Sequence, residues 1–226
     1  MTRDPIALPE PLGHATVPAD PAAERILDAA VAETAAVGVE RLRMEDVVRR
    51  SGLGRTTVYR RFPSRDELIR ALVTRETQHF LAAVAAGMDQ VDRPSDRVVE
   101  ALLAAVSFAG EHPILRRLAR TAPGSVVELA GNPGTEFLTT GAAFIARHLH
   151  GEGQGPPGRE ARWVADVFAR LFLTYLALPP ADPDMGSEAG LRAFARGVLT
   201  PMAERVTPAS PADERGSEPR TDPEPS

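Results

Sequence analysis

Cysteine and lysine are both missing from this chain of 226 residues. Without cysteine there is no disulfide, no thiolate metal site and no cysteine nucleophile; an intracellular setting is permitted. Without lysine, every strongly basic side chain is an arginine. With so much alanine, proline and glycine this looks like a coding bias, so arginine as a type says little and its placement says more. No run approaches the ~18 apolar residues of a membrane span. The first residues hold proline and acid rather than the charged-then-apolar order of an export signal, and the expected location is cytoplasmic. Two-residue alternation is lacking, so no sheet is expected. Also missing are a Gly-rich phosphate loop, a Gly-x-Ser-x-Gly elbow and any other nucleophile pattern. Neither an enzyme nor a cofactor is expected.

What is present is ordinary for a folded chain, 43% hydrophobic and 25% charged, and long enough to bury a real core. The formal net charge of −5 conceals a polarity. Between Arg41 and Arg75 ten arginines face four acids, a local balance of +6, which leaves −11 for the remainder. A basic module attached to an acidic body is the arrangement this suggests.

Residues 1–19 hold four prolines without periodicity, and residues 207–226 hold five prolines and no large apolar side chain. Such segments bury too little surface to offset their ordering entropy, so both are expected to be disordered. Between them helical period dominates. Asp20 and Pro21 form an N-cap and first helical position; Ile26, Leu27, Ala30, Val31, Thr34 and Val37 follow at three-and-four spacing until Gly38. Short helices are expected from Met44 to Ser51 and from Arg55 to Phe62. Pro63 ends the second, and Ser64 with Glu67 offers a capping box for a long helix to about Met88. Further helical patterns run over 95–111, 113–121, 135–149, 159–178 and 187–204. The fold class is all-α, with a three-helix helix-turn-helix domain at 20–75 and a helical effector-binding and dimerisation domain at 76–206.

Two helices of two turns joined at Gly52-Leu53-Gly54 have the dimensions of a DNA-reading helix-turn-helix. Gly52 can adopt the positive φ that the turn requires. Val47, Val48, Leu53, Val58 and Phe62 would lock the two helices, leaving Arg55, Thr56, Tyr59 and Arg60 outward. Arginine chelates guanine and threonine touches a thymine methyl, so such a face suits a major groove.

From about Asp20 to Leu72 the sequence resembles the TetR/AcrR family of transcriptional regulators. The likeness rests on a first helix ending in Gly38-Val39, on Met44-Glu45-Asp46-Val47-Val48, and on the run Thr57-Val58-Tyr59-Arg60-Arg61-Phe62-Pro63-Ser64-Arg65-Asp66-Glu67-Leu68. Fainter likeness at His112–Leu118 and Leu191–Arg196 is similar to the regulatory domain of actinobacterial members. The resemblance implies that Arg55, Thr56 and Tyr59 touch bases, and that Thr57, Arg61 and Arg65 hold phosphates. Where the family usually has a capping threonine this chain has Arg43, which cannot cap by accepting an amide proton but can meet a phosphate. Gly54 likewise replaces a frequent serine cap. The implied partners are double-stranded DNA with a palindromic operator, a second copy of the chain as homodimer, and a small-molecule effector of unknown identity that releases a repressor.

The other residues invite plainer readings. Arg49 and Arg50 suit either DNA or a solvated face. His148 and His150 lie two apart, on different helix faces, so no metal site is expected; His112 should cap the helix opened by Pro113. The stripe Trp163, Val167, Phe168, Leu171, Phe172 and Tyr175, with Leu191, Phe194, Val198 and Leu199, is expected to build a four-helix dimer interface. Two other functions remain open: a ligand-independent regulator or activator, and, more remotely, a helical enzyme or carrier. The last lacks any catalytic constellation.

Overall fold

The computed structural model describes residues 20–91, 93–121, 135–150, 155–178 and 180–207. The expected arm at 1–19, and all of the expected tail except Thr207, lie outside them. Among the described residues there are helices and no strands.

Helix α1 (Pro21–Val37) begins where Asp20 Oδ1 accepts the amide protons of Ala22 and Ala23, each at 3.0 Å. It ends at Gly38, whose φ is 90°. A 3₁₀ turn (Val39–Arg41) leads to α2 (Met44–Ser51) and α3 (Arg55–Arg61). Helix α4 (Arg65–Met88) starts at Ser64, whose hydroxyl accepts from the Glu67 amide at 3.2 Å, one half of the capping box. Helices α5 (Pro94–Glu111) and α6 (Pro113–Thr121) follow, with His112 between them. The expected cap is made, since the Leu115 amide donates to His112 Nδ1 at 3.4 Å. Helices α7 (Thr135–His150) and α8 (Arg159–Ala177) pack along each other.

The last expected helix is not regular. Helix α9 (Glu188–Phe194) passes through a π-helical stretch (Ala195–Leu199) into α10 (Thr200–Glu204). Pro201 has no amide proton and its ring crowds the carbonyl four residues earlier, so the regular i→i−4 ladder cannot run through this point.

Helix α4 belongs to two apolar clusters. Its first half, with Leu68 and Leu72, closes a core with Ile26 and Leu27 of α1, Val47 of α2, Val58 of α3 and Phe62. Its second half, with Leu81, Val84 and Met88, packs on Ala105 of α5 and Phe144 of α7, with Phe172 of α8 against them. Burying each large apolar side chain stabilises the fold by roughly 1.5–3 kcal/mol. A single rigid helix thus joins the motif-bearing core to the rest of the body.

The apolar stripe of α8 divides in two. Phe172 stacks on Phe80 with ring centroids 4.9 Å apart. Phe168 and Leu171 pack with Phe194 around Val99, Ala195 and Leu199, and Tyr175 meets the edge of Phe194. Of these residues only Trp163, 60% exposed, and Val167, with Val198 inside the π stretch, are exposed. Within one protomer Leu199 is therefore buried and Phe168, Leu171, Phe172, Tyr175, Leu191 and Phe194 are partly buried, because α8 presents opposite faces to α5 and to solvent.

Candidate nucleic-acid interface

The geometry starts from the turn. Gly52 sits at φ 65°, ψ 19°, the left-handed conformation that ends α2. The Ser51 hydroxyl accepts the Leu53 amide at 3.3 Å, and Arg25 of α1 donates to the Ser51 carbonyl at 2.8 Å. Val58 is fully buried under α3, with Val48 and Leu53 half-buried beside it. The opposite side of α3 is consequently turned out: Arg55, Thr56 and Arg60 are exposed, while Thr57 and Tyr59 are half-buried.

Each expected contact residue has a definite place. Arg43 precedes α2 with extended backbone, exposed, and makes no side-chain cap bond. Arg55 lies over the Tyr59 ring, with its guanidinium carbon 4.8 Å from the centroid. Arg61 is half-buried and pairs with the N-cap carboxylate Asp20 at 3.2 Å. Arg65 turns inward: Nε donates to the Leu42 carbonyl at 3.0 Å and Nη2 to that of Val39, which ties α4 to the link before α2. Its Nη1 stands 3.7 Å from Asp66. The structure therefore brings Arg43, Arg55, Thr56 and Arg60 to the outside, leaves Thr57 and Tyr59 half-buried, and commits Arg61 and Arg65 largely to intramolecular partners. Arg49 pairs with Asp46 at 2.8 Å and Arg50 with buried Glu33 at 2.7 Å.

Sequence reasoning overlooked Arg25, Glu33 and Glu45. Glu33 carries a faint signal, a charge among alanines on the inward face of α1. Its partner Arg50 is 17 residues away, beyond any helical spacing rule. Glu45 accepts the Tyr59 hydroxyl proton at 3.1 Å, which the motif alone does not announce.

A second polar cluster joins this module to the body. Arg75 of α4, almost wholly buried, donates to Glu24 at 3.1 Å and Asp28 at 2.9 Å on α1, and pairs with Glu76 at 2.7 Å. Glu76 in turn accepts from His112 Nε2 at 2.9 Å. Because His112 Nδ1 takes the Leu115 amide proton, Nε2 is the protonated nitrogen. Burial by itself would raise the Glu76 carboxyl, but the His112 hydrogen bond and the Arg75 guanidinium outweigh it and hold the group below the usual carboxylate range.

Residues 26–72 match the family model of bacterial regulatory proteins, tetR family. The chain is 29% identical over 199 residues to an uncharacterised HTH-type transcriptional regulator of Mycobacterium tuberculosis, covering 88% of this chain and 92% of that one. It is 24% identical over 165 residues to the HTH-type transcriptional regulator AlkX of the same organism, covering 72% and 75%. Among solved structures, the TetR family repressor AlkX of Dietzia sp., implicated in biodegradation of n-alkanes, superposes with a TM-score of 0.59 at 18% identity, over 83% of this chain and 98% of that one. A TetR-like regulator of Rhodococcus gives 0.50 at 21% identity, over 84% and 97%. The helix-turn-helix at the N-terminal end of an all-helical chain defines a DNA-binding transcriptional regulator. Residues 26–72 carry the tetR-family DNA-binding region, and most of the chain is similar to HTH-type transcriptional regulators.

Proposed function

We propose that the chain is a repressor that binds a palindromic operator as a homodimer and is released by a small-molecule effector. The observation that supports it most is the outward face of α3, where Arg55, Thr56 and Arg60 project while Val58 anchors the helix from behind. In this reading Arg55, Thr56 and Tyr59 meet base edges. Arg43, Thr57, Arg60 and Arg61 meet the DNA backbone, Arg61 by exchanging Asp20 for a phosphate. Arg65 contributes a phosphate contact only through its outer nitrogen. The operative division is a DNA-binding unit at 20–75 and an effector and dimerisation unit at 76–206.

The exposed Trp163, Val167 and Val198 supply an apolar face for a second copy. The Phe80–Phe108–Phe172 group between α4, α5 and α8 is the apolar interior against which an effector would be received. The Dietzia neighbour is a TetR family repressor, which supports the repressor mode. No single described helix is long and apolar enough to cross a membrane.

A reporter fused to the chain's own upstream region tests this. The chain should lower reporter output, and purified chain should retard the same DNA in a mobility-shift gel. Reporter output that rises with the chain present would make it an activator. An unshifted duplex would refute autoregulation, and selection from a randomised duplex pool would then decide whether it reads sequence at all.

A further inference from the structure

An anion sits in the midst of the proposed reading face. Glu45 lies in the first turn of α2, exposed, where the positive end of the helix favours a carboxylate. Its Oε1 accepts from the Tyr59 hydroxyl at 3.1 Å and stands 3.6 Å from Arg55 Nη2. Arg55 Nη2 is also 3.4 Å from the Tyr59 hydroxyl, and its guanidinium lies over the Tyr59 ring. The three side chains close a triangle across the space between α2 and α3. The carboxyl is held below its usual range, first by its own backbone amide and then by the Tyr59 hydroxyl, so it is charged at neutral pH.

We propose that Glu45 is a specificity-determining residue: its carboxylate occupies Arg55 and Tyr59 in the free protein and yields them only to an operator presenting acceptors in the same place. This rests on the reading of α3 as the base-reading helix. An exposed ion pair is a weak restraint, and a guanine edge, which accepts two hydrogen bonds from one guanidinium, displaces it. A phosphate oxygen is a charged competitor for Arg55, but its position carries no sequence information. The released carboxylate then faces DNA as a like charge, which nothing in a wrong sequence offsets. Incorrect DNA thus meets both a competitor for Arg55 and a repulsion, and discrimination rises at the expense of total affinity.

The test uses the full-length chain and two duplexes: the sequence that the wild-type chain selects from a randomised pool, and a scrambled version. Affinities come from fluorescence anisotropy across a salt series. Glu45→Gln keeps an acceptor for Tyr59 and removes the charge. It should tighten binding to the scrambled duplex by about 5-fold, and reduce the operator-to-scrambled ratio by a similar factor. The salt slope on the scrambled duplex should steepen by about 1 per bound protomer as Arg55 turns to phosphate. Glu45→Asp, which retains the charge, should keep scrambled affinity within about 2-fold of wild type. A selective wild-type chain whose ratio and slope are unmoved by Glu45→Gln overturns this inference alone. A wild-type chain that selects no sequence overturns the base-reading role of α3, and this inference with it.

Discussion

Arg117 of α6 lies across the carboxyl end of α1, donating from Nη1 to the Ala36 carbonyl at 2.7 Å and to that of Ala35 at 3.4 Å. The last carbonyls of a helix have no partner within it, and a cation there also opposes the negative end of the helix. One side chain from the body therefore terminates the first helix of the DNA-binding module. Arg117→Ala should lower stability by about 1 kcal/mol, or about 2–4 °C in melting temperature for a chain of this size. Differential scanning calorimetry would show it. An unchanged melting temperature would mean that water replaces the guanidinium at no cost.

The Glu76 cluster gives the stability a defined acid dependence. Its carboxyl is held below the usual range in the folded chain. The contribution to stability is therefore full above the ordinary glutamate value of about 4.3, and it is lost as pH falls through the lower folded value. Glu76→Gln should be less stable than wild type at pH 7, and the two should converge as the pH drops from about 5 toward 3. Urea denaturation at several pH values would decide. A parallel offset across that range would show that the carboxylate charge is immaterial.

Dimerisation is expected to depend on Trp163 and Val167 and not on Phe172. Trp163→Asp changes an exposed side chain, so light scattering should report a folded monomer with an unchanged helical circular dichroism signal. Phe172→Asp instead places a charge against Phe80 and should destabilise the chain itself by about 3 kcal/mol or more. A dimeric Trp163→Asp chain would move the interface elsewhere.

Arg61 and Arg65 should separate by experiment, although both belong to one motif. Arg65→Ala removes two donors to the carbonyls of Leu42 and Val39 and should cost about 1–2 kcal/mol of stability. Arg61→Ala should leave stability close to wild type, because its pairing with Asp20 is partly exposed. Its salt slope for DNA binding should fall by about 1 per half-site. An unaltered slope in Arg61→Ala would assign that side chain to Asp20 alone.

Local chemistry was legible throughout. Asp20, Gly38, Gly52 and Ser64 mark helix ends because capping is decided within about four residues of the chain. The spacing of Val47, Val58 and Phe62 marks the buried side of the motif for the same reason. The break at Ala195–Leu199 was legible in principle from Pro201, which removes a donor from the ladder.

The sequence by itself therefore determined an all-helical chain with a basic helix-turn-helix whose face carries Arg55, Thr56 and Arg60. It could not say which arginines remain available to DNA, because their competitors are remote: Glu33 lies 17 residues from Arg50, and Val39 lies 26 residues from Arg65. Nor could periodicity tell which side of α8 is covered, since a stripe wide enough to serve core and interface looks the same in one dimension. Tertiary structure decided both, by bringing carboxylates and carbonyls of α1 and its following turn within hydrogen-bond reach of the motif, and by laying α5 over the Phe168 and Phe172 side of α8 while leaving Trp163 open.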